Sequence, residues 1–357
     1  MKSGRIIGID VARALAIFGM IIVNFKIVFG ENGSIWLQDI MHLFNGKAAA
    51  TFVVLAGVGL ALTTNKALLN QDKDLLNKKR IQIIKRAILL FIIGLSYIAI
   101  WPADILHFYG LYMVISLFFI HRKPYLIWLS ALVVIFVFPL LLVLFNYENG
   151  WDFDTLNYVD FWTFNGFIRH LFFNGFHPVF PWVGFMLFGI WLGRQDLTNH
   201  KFLKKALAMS ILTCVLIQVL IFSAIQYIPI KYLESDLFLI LSTEPMPPFP
   251  LYMINGIAVA TIVLTSCILM ANRFPQSKII KALYKTGQLA LTFYVAHVIV
   301  GMGIIEWLGM KPLGTYSLIF SVIYAIIFSV CCILFSLIWL HYKSIGPLEW
   351  VMRKLNN

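Results

Sequence analysis

The sequence predicts an all-α, polytopic integral membrane protein: about ten transmembrane helices, N- and C-termini cytoplasmic, one domain over 1–357. Three observations carry that expectation. Of 357 residues, 61% are hydrophobic and 12% charged, against about 45–50% and about 25% in soluble domains. Mean hydropathy is +0.86. Apolar segments long enough to cross a bilayer, which takes about 20 residues, recur along the whole chain, and the charges between them are sided. These features exclude a soluble globular enzyme, a disordered chain and a nucleic-acid binder, despite a net charge of +12.

In order, the spans read as 6–29, 42–64, 84–102, 104–120, 124–147, 177–195, 204–228, 248–271, 286–310 and 315–341. The first holds Asp10 and Arg13, runs past 20 residues and lacks a small-residue cleavage pattern, so it is expected to be a retained helix and not a signal peptide. The third and fourth are separated only by Trp101, Pro102, Ala103 and Asp104; Pro102 breaks a helix well. With the N-terminus inside, basic residues gather on the inner side, densest over Lys66, Lys73, Lys78, Lys79, Arg80, Lys85 and Arg86. Acidic residues gather outside, among them Glu31, Asp39, Glu148, Asp152, Asp160 and Glu244. The positive-inside rule gives one orientation at every loop. Anionic membrane lipids then account for the basic excess, with no nucleic-acid partner. Outer segments at 30–41, 148–176 and 229–247 are longer than tight turns, and the second is rich in aromatics. The four cysteines lie in apolar runs, which predicts buried thiols and no disulfide framework. No metal-ligand spacing stands out.

Ionisable groups inside a span cost about 2.5–3.5 kcal/mol each on insertion scales, which makes each a candidate for function. Asp10 and Arg13 are three apart and can pair on one helix face. Arg13 and Asn24 are eleven apart, near three full turns, so all three share a stripe. That stripe reads either as a structural ion pair with a packing amide, or as an anion-binding arginine with a hydrogen-bond donor. Asp104 and His107 are also three apart. They read either as a capping acid beside an interfacial imidazole, or as a carboxylate that fixes a tautomer and raises basicity. His42 opens the second span and His177, followed by Pro178 and Pro181, opens the sixth. His297 lies deep in the ninth, one turn after Tyr294. Each reads as an interfacial or packing histidine, or as a functional one. Trp182 reads first as packing. The topology places Asn24, His42, Asp104, His107 and His177 on the outer half, near one depth.

The residues resemble a known family. The stretch Arg5-Ile-Ile-Gly-Ile-Asp10-Val-Ala-Arg13, running on to Asn24, resembles the first helix of the transmembrane acyltransferase superfamily, which includes heparan-α-glucosaminide N-acetyltransferase and the bacterial YeiB-like proteins (domain of unknown function 418). Phe44-Asn-Gly46-Lys47, with Ala56-Gly57, resembles the YeiB-like second helix. Phe180-Pro181-Trp182-Val-Gly184, with Gly189, Gly193 and Arg194, resembles another family segment, as does Gly287-Gln-Leu-Ala-Leu-Thr292-Phe-Tyr294. Gly346-Pro-Leu-Glu349-Trp350, with Arg353, resembles the end of a C-terminal YeiB-like region over roughly 175–357. There are departures. Ala14 replaces the usual glycine, and Ile35 stands at the spacing where the acetyltransferase branch has its catalytic histidine.

The resemblance implies transfer of an acyl group, acetyl first of all, from cytoplasmic acyl-CoA to a hydroxyl or amine at the outer face. The acceptor is expected to be a glycan, lipid or small metabolite. Acyl-CoA would be a co-substrate, with no tightly bound cofactor and no metal. His42 is expected as the base, with His107 oriented by Asp104 as its rival, and Asn24 as oxyanion donor. Arg13 and Asp10 would serve the CoA phosphates, and His177, Trp182, Tyr294 and His297 the substrate. A bacterial cytoplasmic membrane is the expected location, with room for a homodimer. The rival class is a proton-coupled transporter or lipid or metabolite exporter using Asp10–Arg13 and His297; the internal repeats common in transporters are not visible.

Overall fold

The fold is that of a computed structural model describing residues 5–153, 155–227 and 236–356. Residue 154 of the expected outer segment 148–176 and residues 229–235 of the segment 229–247 lie outside the described residues. The elements are α1 (Ile7–Phe29), α2 (Ile35–His42), α3 (Lys47–Leu69), α4 (Lys73–Ser96), α5 (Leu106–Ser116) and α6 (Pro124–Leu144). A two-stranded hairpin follows, β1 (Trp151–Asp152) against β2 (Asn157–Tyr158). Next come α7 (Phe164–Arg169), a π-helical turn (His170–Asn174), α8 (Val179–Gly193) and α9 (His200–Tyr227). After a 3-10 turn (Asp236–Leu241) come α10 (Pro250–Arg273), α11 (Lys278–Gly287) and α12 (Ala290–Ala296). A second π turn (His297–Met302) then leads to α13 (Gly303–Leu308), α14 (Leu318–Tyr342) and α15 (Pro347–Asn356).

The all-α, polytopic expectation holds. Among the described residues seven helices are long and apolar enough to cross a membrane: Ile7–Phe29, Ile35–Leu69, Pro124–Leu144, His200–Tyr227, Pro250–Arg273, Ala290–Leu308 and Leu318–Tyr342. An eighth is present if Phe164–Asn174 and Val179–Gly193, bent by 47°, count as one broken span. The expected spans 84–102 and 104–120 become α4 and α5. The first half of α4 carries Lys73, Lys78, Lys79 and Arg80, and α5 has only 11 residues. The cysteines are all free. Cys267 and Cys332 are buried, Cys214 is half-buried and Cys331 is exposed on its helix.

The chain forms two compact units, 1–52 with 260–357, and 53–259. In the first, α1 packs against α11 and α14. Gly287 lets α11 close onto the Asp10 carbonyl; a Cβ there would collide with it. Two of the resembling motifs meet in this unit. The Glu349 carboxylate accepts the backbone N–H groups of Leu291 (2.9 Å) and Thr292 (3.1 Å) and the Thr292 hydroxyl. A carboxylate there satisfies donors that a helix start leaves unpaired. Thr292 Oγ1 in turn accepts from Leu348 N at 3.2 Å.

In the second unit α6 packs on α8, and α5 packs on both α4 and α8. The glycine motif has a packing role here. Cβ atoms at Gly57, Gly189 and Gly193 would strike Met186, Val54, Val58 or Ala61 across the α3–α8 contact. Small residues of this kind let membrane helices approach closely. Arg194 closes the same crossing, donating to Ala61 O (3.2 Å), Asn65 Oδ1 (3.1 Å), Thr64 Oγ1 (2.9 Å) and Ile120 O (3.2 Å).

Candidate functional site

The second unit gathers Asp104, His107, His177 and Trp182 with a residue the sequence reading missed, His170. Asp104 stands in the turn before α5. Its Oδ2 accepts the His107 backbone N–H (3.1 Å) and pairs with His107 Nδ1 (3.0 Å); its Oδ1 accepts the Tyr97 hydroxyl (2.6 Å). Accepting three donors is the pattern of an ionised carboxylate. It can only accept, so the imidazole proton sits on Nδ1 and Nε2 presents its lone pair. His107 and Asp104 are fully buried, and Nε2 has no partner among the described residues. Gly94 of α4 makes the arrangement possible, since a Cβ there would collide with Asp104 Oδ2 and the His107 backbone N.

Around this pair stand three more buried atoms without partners among the described residues: His170 Nδ1, His177 Nδ1 and Trp182 Nε1. The His107 and His170 rings lie 6.0 Å apart at 16°. Phe108 lies 5.2 Å from the His170 ring and 6.0 Å from that of His177, and His177 meets Trp182 edge-on at 4.5 Å. The Tyr112 hydroxyl donates to the His177 carbonyl. Native proteins rarely leave buried polar atoms unpaired, so each such atom calls for an explanation.

The aromatic segment after α6 builds the wall of this cluster. His170 opens a π turn, a feature common at functional sites, and Tyr158 (4.7 Å), Phe161 (4.9 Å) and Trp151 (6.3 Å) surround its ring. Asn174, fully buried, pins the segment. Its amide donates to the carbonyls of Tyr147 (2.7 Å) and Asn149 (2.8 Å), its side-chain oxygen accepts Tyr158 OH (2.7 Å), and its carbonyl accepts the Trp151 indole (2.6 Å). Burial raises the Tyr158 phenol above its ordinary value, which keeps it a donor to Asn174 while it accepts from Arg169.

The remaining candidates belong to the first unit. Asn24 Nδ2 lies 2.8 Å from His297 Nε2, and His297 Nδ1 meets the Tyr294 carbonyl. That carbonyl only accepts, so Nδ1 carries the proton and Nε2 accepts from Asn24. His42 sits exposed at the end of α2. Lys26 Nζ, which only donates, holds Asn45 Oδ1 at 3.1 Å, so the Asn45 amide group faces His42 Nδ1 at 3.1 Å. The His42 proton therefore sits on Nε2. Asp10, buried, takes two arginines, Arg13 at 2.8 Å and Arg5 at 2.7 Å. Burial works against the Arg5 charge, but the Asp10 hydrogen bond and attraction outweigh it and hold Arg5 above its ordinary value. Among the described residues no group of three or more His, Cys, Asp or Glu is arranged to hold a metal ion.

His170 left a faint signal: it follows Arg169 inside the aromatic segment. Asn174 left none, because its partners lie 16 to 27 residues away.

The fold defines the class, an all-α polytopic membrane protein with polar groups buried among its helices. Residues 5–222 match the family described as "Heparan-alpha-glucosaminide N-acetyltransferase, catalytic", and residues 192–357 match "Protein of unknown function (DUF418)". The chain belongs to the membrane acetyltransferase kind, in a DUF418, YeiB-like family related to heparan-alpha-glucosaminide N-acetyltransferase. It is 22% identical to "Uncharacterized protein YxaH" of Bacillus subtilis (strain 168), over 99% of this chain and 94% of that protein. No solved structure matches it.

Proposed function

We propose that the protein moves an acyl group, acetyl first of all, from cytoplasmic acyl-CoA to an acceptor at the outer face, with His107 as general base. One observation carries this reading: a buried imidazole whose Nδ1 is held by a carboxylate and whose Nε2 lone pair is unpartnered. In the serine hydrolases a carboxylate fixes the tautomer of the base in the same way. General base catalysis contributes about 10²–10⁴-fold. His42 was the first expectation. Its lone pair at Nδ1 is taken by Asn45, so His107 is the better base.

Trp182 Nε1–H is the buried donor of this cluster, suited to an oxyanion forming on the acyl carbon. Asn24 is oriented by His297 and keeps a second amide hydrogen for a substrate oxygen. Arg13, partly exposed and bound through Nη1 to Asp10, has further N–H groups for a phosphate. The transporter reading loses support, because Asp10 is closed by two arginines and both ring nitrogens of His297 are engaged.

The test uses purified protein in vesicles with acetyl-CoA and an extract of envelope acceptors. CoA thiol should be released with wild-type protein and not with His107→Ala. Equal release from both would sink the assignment of the base. Release only when acetyl-CoA is on the side of the basic first half of α4, residues 73–86, would support the direction of transfer.

A further inference from the structure

We infer that the acceptor group is a neutral hydroxyl and not an amine, so that the product is an ester; this rests on the acyl-transfer reading above. The argument comes from what the buried cluster leaves available. Its unpartnered atoms are His107 Nε2, His170 Nδ1, His177 Nδ1 and Trp182 Nε1. None is an anion: three are imidazole nitrogens and one is an indole donor. An amine arrives at neutral pH as an ammonium, and an ammonium taken out of water needs an anion against it.

Among the described residues, the two carboxylates bound to this cluster and its wall are committed. Asp104 spends Oδ1 on Tyr97 and Oδ2 on both the backbone and the ring of His107. Asp160 gives both oxygens to Arg169 Nη2, each at 2.7 Å, which also closes the nearest cation. Glu244 lies near Tyr252, one ring beyond Trp182, whose centroid is 5.8 Å from that of Tyr252.

The chemistry agrees with the charge count. A neutral amine brings its own nucleophilic lone pair. A hydroxyl is a weak nucleophile until a base takes its proton during attack, and the Asp104–His107 dyad is built for that task. In the step proposed, the hydroxyl proton passes to His107 Nε2 while the hydroxyl oxygen bonds the thioester carbonyl carbon. The resulting oxyanion collapses, the carbon–sulfur bond breaks, and the leaving sulfur takes the proton back from the imidazolium. Ester and free CoA thiol are the balanced products.

Membranes from cells carrying the wild-type protein or His107→Ala are incubated with radiolabelled acetyl-CoA, washed free of it, and then treated with alkaline hydroxylamine, which cleaves oxygen esters and leaves amides. The expected result is label that depends on the protein, falls about a hundredfold in His107→Ala, and leaves with hydroxylamine. Protein-dependent label that resists hydroxylamine overturns the hydroxyl assignment alone; its loss on Glu244→Gln would then name the missing anion. No protein-dependent label overturns the acyl-transfer reading, and the hydroxyl assignment falls with it.

Discussion

His107 and His297 are both buried imidazoles, one in each compact unit, and they are held in different ways. His297 has protein on both ring nitrogens, Asn24 on one and Tyr294 on the other. His107 has a carboxylate on one nitrogen and, among the described residues, no partner on the other. A ring satisfied on both sides fixes its neighbours; a ring satisfied on one side has a lone pair left for chemistry. Burial and residue type are the same in the two cases, so only the pattern of partners separates His297 from the base proposed at His107.

Substitutions can break or sharpen that contrast. The largest effect is expected at His107→Ala, a loss of about 10²–10⁴-fold in acyl transfer with the helices intact, read by CoA thiol release beside circular dichroism. Asp104→Asn should follow. An amide placed at Oδ2 donates to Nδ1, moves the proton to Nε2 and removes the lone pair; a loss of at least about 10²-fold is expected, with substrate KM less affected than kcat. Gly94→Ala tests the dyad without changing either of its members. Its Cβ pushes on Asp104 and the His107 backbone, which should cost about 1–3 kcal/mol of stability and about 10²-fold in rate if the pair shifts by an ångström.

His297→Ala should reverse the balance. Unpairing Asn24 and the Tyr294 carbonyl should cost about 1–3 kcal/mol in thermal unfolding, with less loss of rate than at His107. A rate loss as deep as that of His107→Ala would erase the contrast. His42→Ala should be the mildest, within about 0.5 kcal/mol of wild type and with transfer retained. An inactive His42→Ala would return the base to the end of α2.

Much of this was legible in the chain because it is local. The i,i+3 spacings of Asp10–Arg13 and Asp104–His107 bring those pairs together on a helix or at its start, and long apolar runs became helices. What was not legible is long-range or lies in the turns. His170 reaches His107 from 63 residues on in sequence, through a π turn that no residue pattern announces. At 84–120 hydropathy does not show where the helices stop: α4 ends at Ser96 and α5 after 11 residues. The tautomers of His42 and His107 depend on the partners of their partners. Lys26 dictates the Asn45 amide across 19 residues, and Tyr97 fills the second oxygen of Asp104.

The clasp between Thr292 and Glu349 has a consequence for descent. Two stretches 57 residues apart share one set of hydrogen bonds, so neither can drift freely without the other. A lineage that loses the acid at 349 should also change the hydroxyl at 292, and a chain cut short before Pro347 should lose the order of the helix that carries Tyr294 toward His297. The final ten residues of helix, Pro347–Asn356, are thus expected to vary together with the segment that they hold.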